Sequence, residues 1–102
     1  MNNSVQQKPG FVYILSNAHR TVLYVGCTSD LKKRIYAHKK GLIPGYTKKY
    51  NAHRLVYFEQ YPDIGQARKR EKYLKGKSRA KKIALIQECN PNWKDLTPEN
   101  PQ

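Results

Sequence analysis

Two short segments near the start of the chain, FVYILS (residues 11–16) and VLYVGC (22–27), are rich in β-branched and aromatic residues, and only NAHRT lies between them. Segments of this length and composition read as strands, and a five-residue link suits a hairpin. Parallel strands need a crossover of a dozen or more residues, so these two are expected to pair antiparallel.

The remaining segments supply elements to pack on that hairpin. Thr28, Ser29 and Asp30 form a helix-start cluster before LKKRIYAHKK (31–40), and Gly41 ends that helix. LIPGYTKKYNA (42–52) reads as a loop with a Pro-Gly turn, and HRLVYFEQY (53–61) as a third strand. Pro62 and Asp63 open a second helix that runs to about Lys75 and stops at Gly76. Ser78 caps a third helix, RAKKIALIQEC (79–89), which ends before Pro91. The expected order is β-β-α-β-α-α, an α+β fold with a three-stranded antiparallel-type sheet flanked by helices. Residues 1–10 read as a flexible N-terminal lead, 11–88 as the domain, and 89–102 as an irregular tail anchored by Trp93.

A chain of 102 residues suggests one domain of modest stability. Twenty Lys and Arg against seven Asp and Glu leave a net charge of +13. So strong a field attracts polyanions, nucleic acid before membrane, because no helix shows an exposed Trp/Phe/Leu face. Cys27 and Cys89 do not make a disulfide framework, and no Cys/His spacing suits a structural zinc site. Residues 1–10 lack the apolar core of a signal peptide, so the expected location is cytoplasmic.

Helical geometry singles out a few polar residues. In the first helix His38 projects between Leu31 and Ile35, with Arg34 one turn before it, so both face inward or to the edge of a cleft. In the second helix Glu71 falls within the stripe of Ile64, Ala67 and Leu74, the one acid between Ile64 and Gln87 among nine bases. A carboxylate there needs a partner. Spacing leaves open an ion pair with Arg34 or another base, and a hard divalent cation. On the strands, Tyr13 and Tyr24 can approach each other, and Gly26 permits close approach by a substrate or another element.

Tyr13, Tyr24-Val25-Gly26, Arg34, His38 and Glu71, in that order and spacing, resemble the GIY-YIG nuclease superfamily, and within it the small stand-alone bacterial proteins. The resemblance spans roughly residues 11–86, with FVYIL, LYVGCTSDLKKRIYAH and QARKREKYLKGKSRAKK as its carriers. The chain departs from the pattern at Phe11, where the first signature has glycine, and at Cys27, where some repair members carry lysine. The resemblance implies a metal-dependent endonuclease acting on DNA in preference to RNA, guided by structure rather than sequence, in repair or recombination. It implies one Mg2+ or Mn2+ ion on Glu71, phosphate binding by Arg34, and a water activated or positioned by Tyr24. It further implies that Tyr13 orients the reacting groups and that His38 takes or relays a proton from Tyr24. Expected phosphate contacts are Lys32, Lys33, Lys39, Lys40, Lys48, Lys49, Arg68, Lys72, Lys75, Lys77, Arg79, Lys81 and Lys82. A protein partner that directs substrate choice is also expected. The main rival is a module that binds DNA or RNA without cutting it.

Overall fold

The hairpin forms. In the computed structural model, which describes residues 8–98, β1 (Gly10–Ser16) pairs antiparallel with β2 (Leu23–Thr28). Two helices follow, α1 (Leu31–Lys39) and α2 (Tyr46–Lys49), then β3 (Arg54–Tyr61), α3 (Ile64–Lys75) and α4 (Arg79–Cys89). β3 adds antiparallel to the other side of β1, so the sheet order is β2-β1-β3. Most of the expected N-terminal lead, residues 1–7, and the end of the tail, 99–102, lie outside the described residues.

β1 is therefore the central strand, and every residue in it except Phe11 is buried. Its alternate side chains divide between two cores. Val12 and Ile14 meet Val25, Ala67, Leu74 and Ile86 under α3 and α4. Tyr13 and Leu15 meet Leu31, Ile35, Ala52 and Leu55 under α1. Ile14 lies opposite Tyr57 and Leu15 opposite Leu55, which leaves Val56 as an extra residue in β3. That bulge turns two consecutive residues to one face, and Val56 and Tyr57 both enter the α3 core.

The helix starts follow the side-chain oxygens that precede them. Asp30 accepts from the Lys33 amide (3.1 Å), Asp63 from Gln66 (3.0 Å) and Ser78 from Lys81 (3.2 Å). Each satisfies an amide that the helix leaves without a partner. A further element departs from the sequence expectation: Tyr46–Lys49 is a single helical turn inside the expected loop. Periodicity cannot reveal four residues. The turn follows Gly45, whose φ of 113° suits glycine, and Thr47 at its centre is buried.

Residues 90–98 contain no helix or strand, yet they are pinned along β3. The buried Asn90 amide donates to the carbonyls of Val56 (3.0 Å) and Lys94 (2.9 Å). Leu96 N–H donates to Leu55 O (2.7 Å), and Asp95 accepts from Leu55 N–H (3.2 Å) and from Lys39 (2.6 Å). Trp93 is buried, and the Arg20 guanidinium lies 5.3 Å from its ring centroid. These bonds occupy part of an otherwise open strand edge. On the other side of β3, Glu59 accepts two bonds from Arg70 (3.0 Å each) and one each from Tyr57 and Tyr61. Burial alone would raise its pKa, but these donors hold it below the ordinary carboxylate value.

Two close contacts set the α1 side. A Cβ on Gly26 would overlap the Tyr13 ring and hydroxyl, so the ring occupies the space a side chain would fill. His38 is buried, with Nε2 3.2 Å from the Tyr13 hydroxyl and Nδ1 2.9 Å from Thr47 Oγ1. Burial first, then the charges of Arg34 and His53, push the His38 pKa down to about 4.

Gly26→Ala is expected to destabilise the protein by about 1–3 kcal/mol in urea unfolding, because the confined Tyr13 ring must move. The depressed His38 pKa makes the unfolded chain the better proton binder. Stability therefore rises with pH from about 4 to 6.5 and is lost as pH falls through that window, by at most about 3 kcal/mol. Urea midpoints measured at intervals across the window should flatten in His38→Asn. Glu59 and Asp95, whose pKa values are lowered, lose their contributions below the ordinary carboxylate range and do not mimic this slope.

Candidate functional site

The site gathers around β2, an edge strand with a side chain pattern that points Tyr24 and Gly26 to the α1 face. Tyr24 lies opposite Leu15, one step diagonal from Tyr13, and the two rings are 6.4 Å apart. His38 stands edge-on to both, at 5.9 Å from Tyr13 and 6.0 Å from Tyr24. Its two ring nitrogens are engaged by Tyr13 and Thr47, which leaves none for the proton relay from Tyr24 that the sequence suggested. The Tyr13 phenol is pushed well above its ordinary pKa, first by burial and then by Tyr24, with Arg34 pulling it part of the way back and Glu71 raising it. Tyr13 therefore stays protonated near neutral pH and does not serve as a base.

α1 carries His38 inward but leaves Arg34 exposed. Of the two placements that projection allowed, Arg34 takes the edge of a cleft. It lines an open groove with Lys8, Thr28 and Lys33. A guanidinium without a carboxylate is best kept solvated, and its long stem lets the head remain at the surface.

Glu71 arrives from the opposite face of the sheet, on α3. Its side chain is 23% exposed and bonds Lys75 at 3.0 Å. The expected alternatives were Arg34, another base or a metal ion, and the carboxylate's ion-pair partner in the fold is Lys75. The same ammonium lies 5.8 Å from the Tyr24 ring centroid, so it links the carboxylate to the phenol across the strand edge. Cys27 sits between the two halves. Its thiol is raised by burial and then by Glu71, and lowered by Arg68, Arg34 and Lys75.

The donor set fits one hard divalent cation. Among the described residues no cluster of three His, Cys, Asp or Glu exists, so a cation on Glu71 would draw its other ligands from water and phosphate. Mg2+ is commonly held by one or two carboxylates, with water and substrate phosphate filling the remaining positions. The Glu71–Lys75 pair is a partly exposed i,i+4 contact, of the kind worth about 0.3–0.5 kcal/mol, and yields readily to a cation.

Most of the expected phosphate contacts are exposed: Lys33, Lys40, Lys48, Lys49, Arg68, Lys72, Lys75, Lys77, Arg79 and Lys81. Lys32 and Lys82 are half-buried. Lys39 is tied to Asp95 and to His53 O (3.0 Å), and Arg79 to Arg20 O (2.6 Å), so both have structural work as well. Among the described residues no helix is long and apolar enough to cross a membrane. Sequence reasoning missed Thr47 and Tyr46. Tyr46 stacks on Tyr24 at 6.2 Å, with Thr47 beside it reaching His38. The i,i+4 spacing of Tyr46 and Tyr50 was the available signal, hidden in a segment too short to read as a helix.

Comparison with known proteins agrees with this arrangement. The family model of the GIY-YIG catalytic domain matches residues 9–84. A UPF0213 protein of Clostridium perfringens is 41% identical over 76 residues, covering 74% of this chain and 81% of the relative. A UPF0213 protein of Syntrophus aciditrophicus is 38% identical over 82 residues, covering 79% and 92%. The solution NMR structure of a UPF0213 protein from Bacillus halodurans superimposes with a TM-score of 0.54 at 30% identity, covering 87% of this chain and 94% of that one. With its three-stranded sheet, its edge-strand tyrosine and the helical glutamate across from it, the chain belongs to the GIY-YIG catalytic-domain family and is a small UPF0213-type member of it.

Proposed function

We propose that this protein is a divalent-metal-dependent endonuclease that hydrolyses phosphodiester bonds in DNA, directed by structure rather than sequence. Its setting is the cytoplasm, in repair or recombination, with a protein partner choosing the substrate. One observation carries the reading. Residues from opposite faces of the sheet meet at the edge of β2, with the lone carboxylate Glu71 joined through Lys75 to Tyr24.

The roles follow from the surroundings of each group. Arg34, exposed beside an open groove, binds the oxygens of the scissile phosphate, where its planar fork fits. Tyr24, half-buried beside an ammonium, positions the attacking water through its hydroxyl, and the water's proton passes to solvent. Tyr13 keeps its own proton and donates a hydrogen bond into the site. His38 touches no substrate and is a positioning residue. Kept neutral by burial, it holds the Tyr13 oxygen in place by donating Nε2–H while Nδ1 accepts from the Thr47 hydroxyl, the tautomer that leaves the Tyr13 proton free for the site. Glu71 would hold a Mg2+ or Mn2+ ion, and the chemistry such an ion would supply is charge stabilisation of the phosphate and the leaving oxygen.

The surface bases hold the substrate without reading bases. Affinity should therefore fall steeply with salt, in a log–log plot whose slope becomes shallower by about 0.9 for each phosphate contact removed from duplex DNA. Lys72→Ala and Lys81→Ala are suitable variants for that titration.

The decisive experiment incubates flapped, branched, single-stranded and duplex DNA with Mg2+, with Mn2+ and with chelator. Glu71→Gln is expected to abolish metal-dependent cutting while retaining substrate binding, and cutting that persists in it would overturn the site. Arg34→Ala should lower the rate by about 10²–10³-fold, as loss of one oxyanion donor does. Binding with no cutting of any substrate would favour the rival, a non-cutting module. Lys75→Met should tighten Mn2+ binding to Glu71, read by the paramagnetic resonance of free Mn2+. Unchanged affinity would mean that Lys75 does not compete with the ion.

A further inference from the structure

Tyr46 and Tyr50 form a pair of neighbouring exposed rings on the α1 side. They are 48% and 43% exposed, four residues apart on one turn, with ring centroids 4.9 Å apart. Two neighbouring aromatic rings left open to water forgo burial that a small domain needs. The turn that presents them is firmly held. Thr47 is buried against His38, and Ala52 is buried with its amide bonded to Thr47 O (2.9 Å). With those two residues turned inward, the i,i+4 pair Tyr46 and Tyr50 turns outward together.

The rings continue the site. Tyr46 stacks on Tyr24 at 6.2 Å with an interplanar angle of 27°, so an aromatic row runs from the proposed water-positioning phenol outward to Tyr50. Lys48 and Lys49 are exposed on the same turn, and Lys49 Nζ lies 5.4 Å from the Tyr50 centroid. A lysine on a long exposed stem can move to a phosphate and free the ring face. Exposed aromatic faces alternating with cations are the chemistry of single-strand binding. Bases stack on the rings, and the charges follow the backbone. Paired bases are already stacked on their neighbours and offer no free face.

We infer that the Tyr46–Tyr50 turn is a stacking platform for an unpaired base close to the scissile phosphate, so that the preferred substrate carries unpaired nucleotides beside the cut. This deepens the nuclease reading and rests on it for the identity of the neighbouring site. The platform selects strand state, not sequence, because every base has a stackable face. Unpaired DNA and RNA share that chemistry.

The test measures binding in chelator, so it gives its answer whether or not the protein cuts. Fluorescence anisotropy is recorded with a short labelled single strand, as DNA and as RNA, and with the blunt DNA duplex of the same length. Tyr46→Ala and Tyr50→Ala are each expected to weaken single-strand binding by about 5-fold or more while changing duplex binding by less than about 2-fold. Tyr50→Phe should keep the wild-type affinity, and the salt slope for single strands should change in Lys49→Ala but not in Tyr50→Ala. Thermal melts of each variant identify any that fail to fold, and Tyr50, one ring further from Tyr24 than Tyr46, gives the cleaner reading. Equal losses on single strand and duplex, no loss on either, or a Phe variant as weak as the Ala variant would overturn the platform. A protein that shows the single-strand loss yet cuts nothing retains the platform and loses the nuclease reading.

Discussion

The Tyr13 ring lies where a side chain at position 26 would be, and its hydroxyl is held by His38. Much of the α1 side depends on that arrangement. Without the slot at Gly26 the ring could not lie flat against β2 and still reach the histidine. Without the histidine, Thr47 would have no buried partner and the turn carrying Tyr46 would lose its anchor. A chain of contacts thus runs from the central strand through α1 to α2, each step a buried polar group meeting another. Buried polar groups are costly unless paired, so such a network favours one arrangement over loosely packed alternatives.

Charge balance at the site follows a different logic. The protein carries a large positive excess, and nearly all of it is left in solvent. Acids are few, and several are committed to the fold: Glu59 to Arg70 and two tyrosines, Asp95 to Lys39, Asp30 and Asp63 to helix starts. Glu71 differs from them in being held by one flexible ammonium. A weakly held carboxylate in a strongly positive field can exchange its partner. That property suits it to a cation delivered together with a polyanionic substrate. The same field draws the polyanion in, and Arg34 at its groove gives one phosphate a place to stop.

The positions of α1 and α3 on opposite faces of a three-stranded sheet explain how so small a domain assembles a site. An edge strand has no neighbour to separate the two faces, and long side chains meet around it. Lys75 and Tyr24 do so here. A wider sheet beyond β2 would keep these faces apart.

The sequence by itself determined the elements and their order, because strand composition, cap residues and helical stripes are local signals. Asp30, Asp63 and Ser78 start their helices as expected, and the hairpin closes over five residues. It also singled out Tyr13, Tyr24, Arg34, His38 and Glu71, since ordered motif spacing survives without coordinates. Only the tertiary structure decided the pairings. Register placed Gly26 under Tyr13, and a bulge turned Val56 and Tyr57 to one face. Glu71 found its partner one turn along its own helix, in Lys75, and what wrapping around β2 added was the approach of that ammonium to Tyr24. A four-residue turn was invisible to periodicity, and with it went Thr47 and the Tyr46 stack on Tyr24. The division has one physical cause. Backbone preferences act between near neighbours in the chain, whereas a buried hydroxyl such as that of Tyr13 takes its partner from whatever packing brings within about 3 Å.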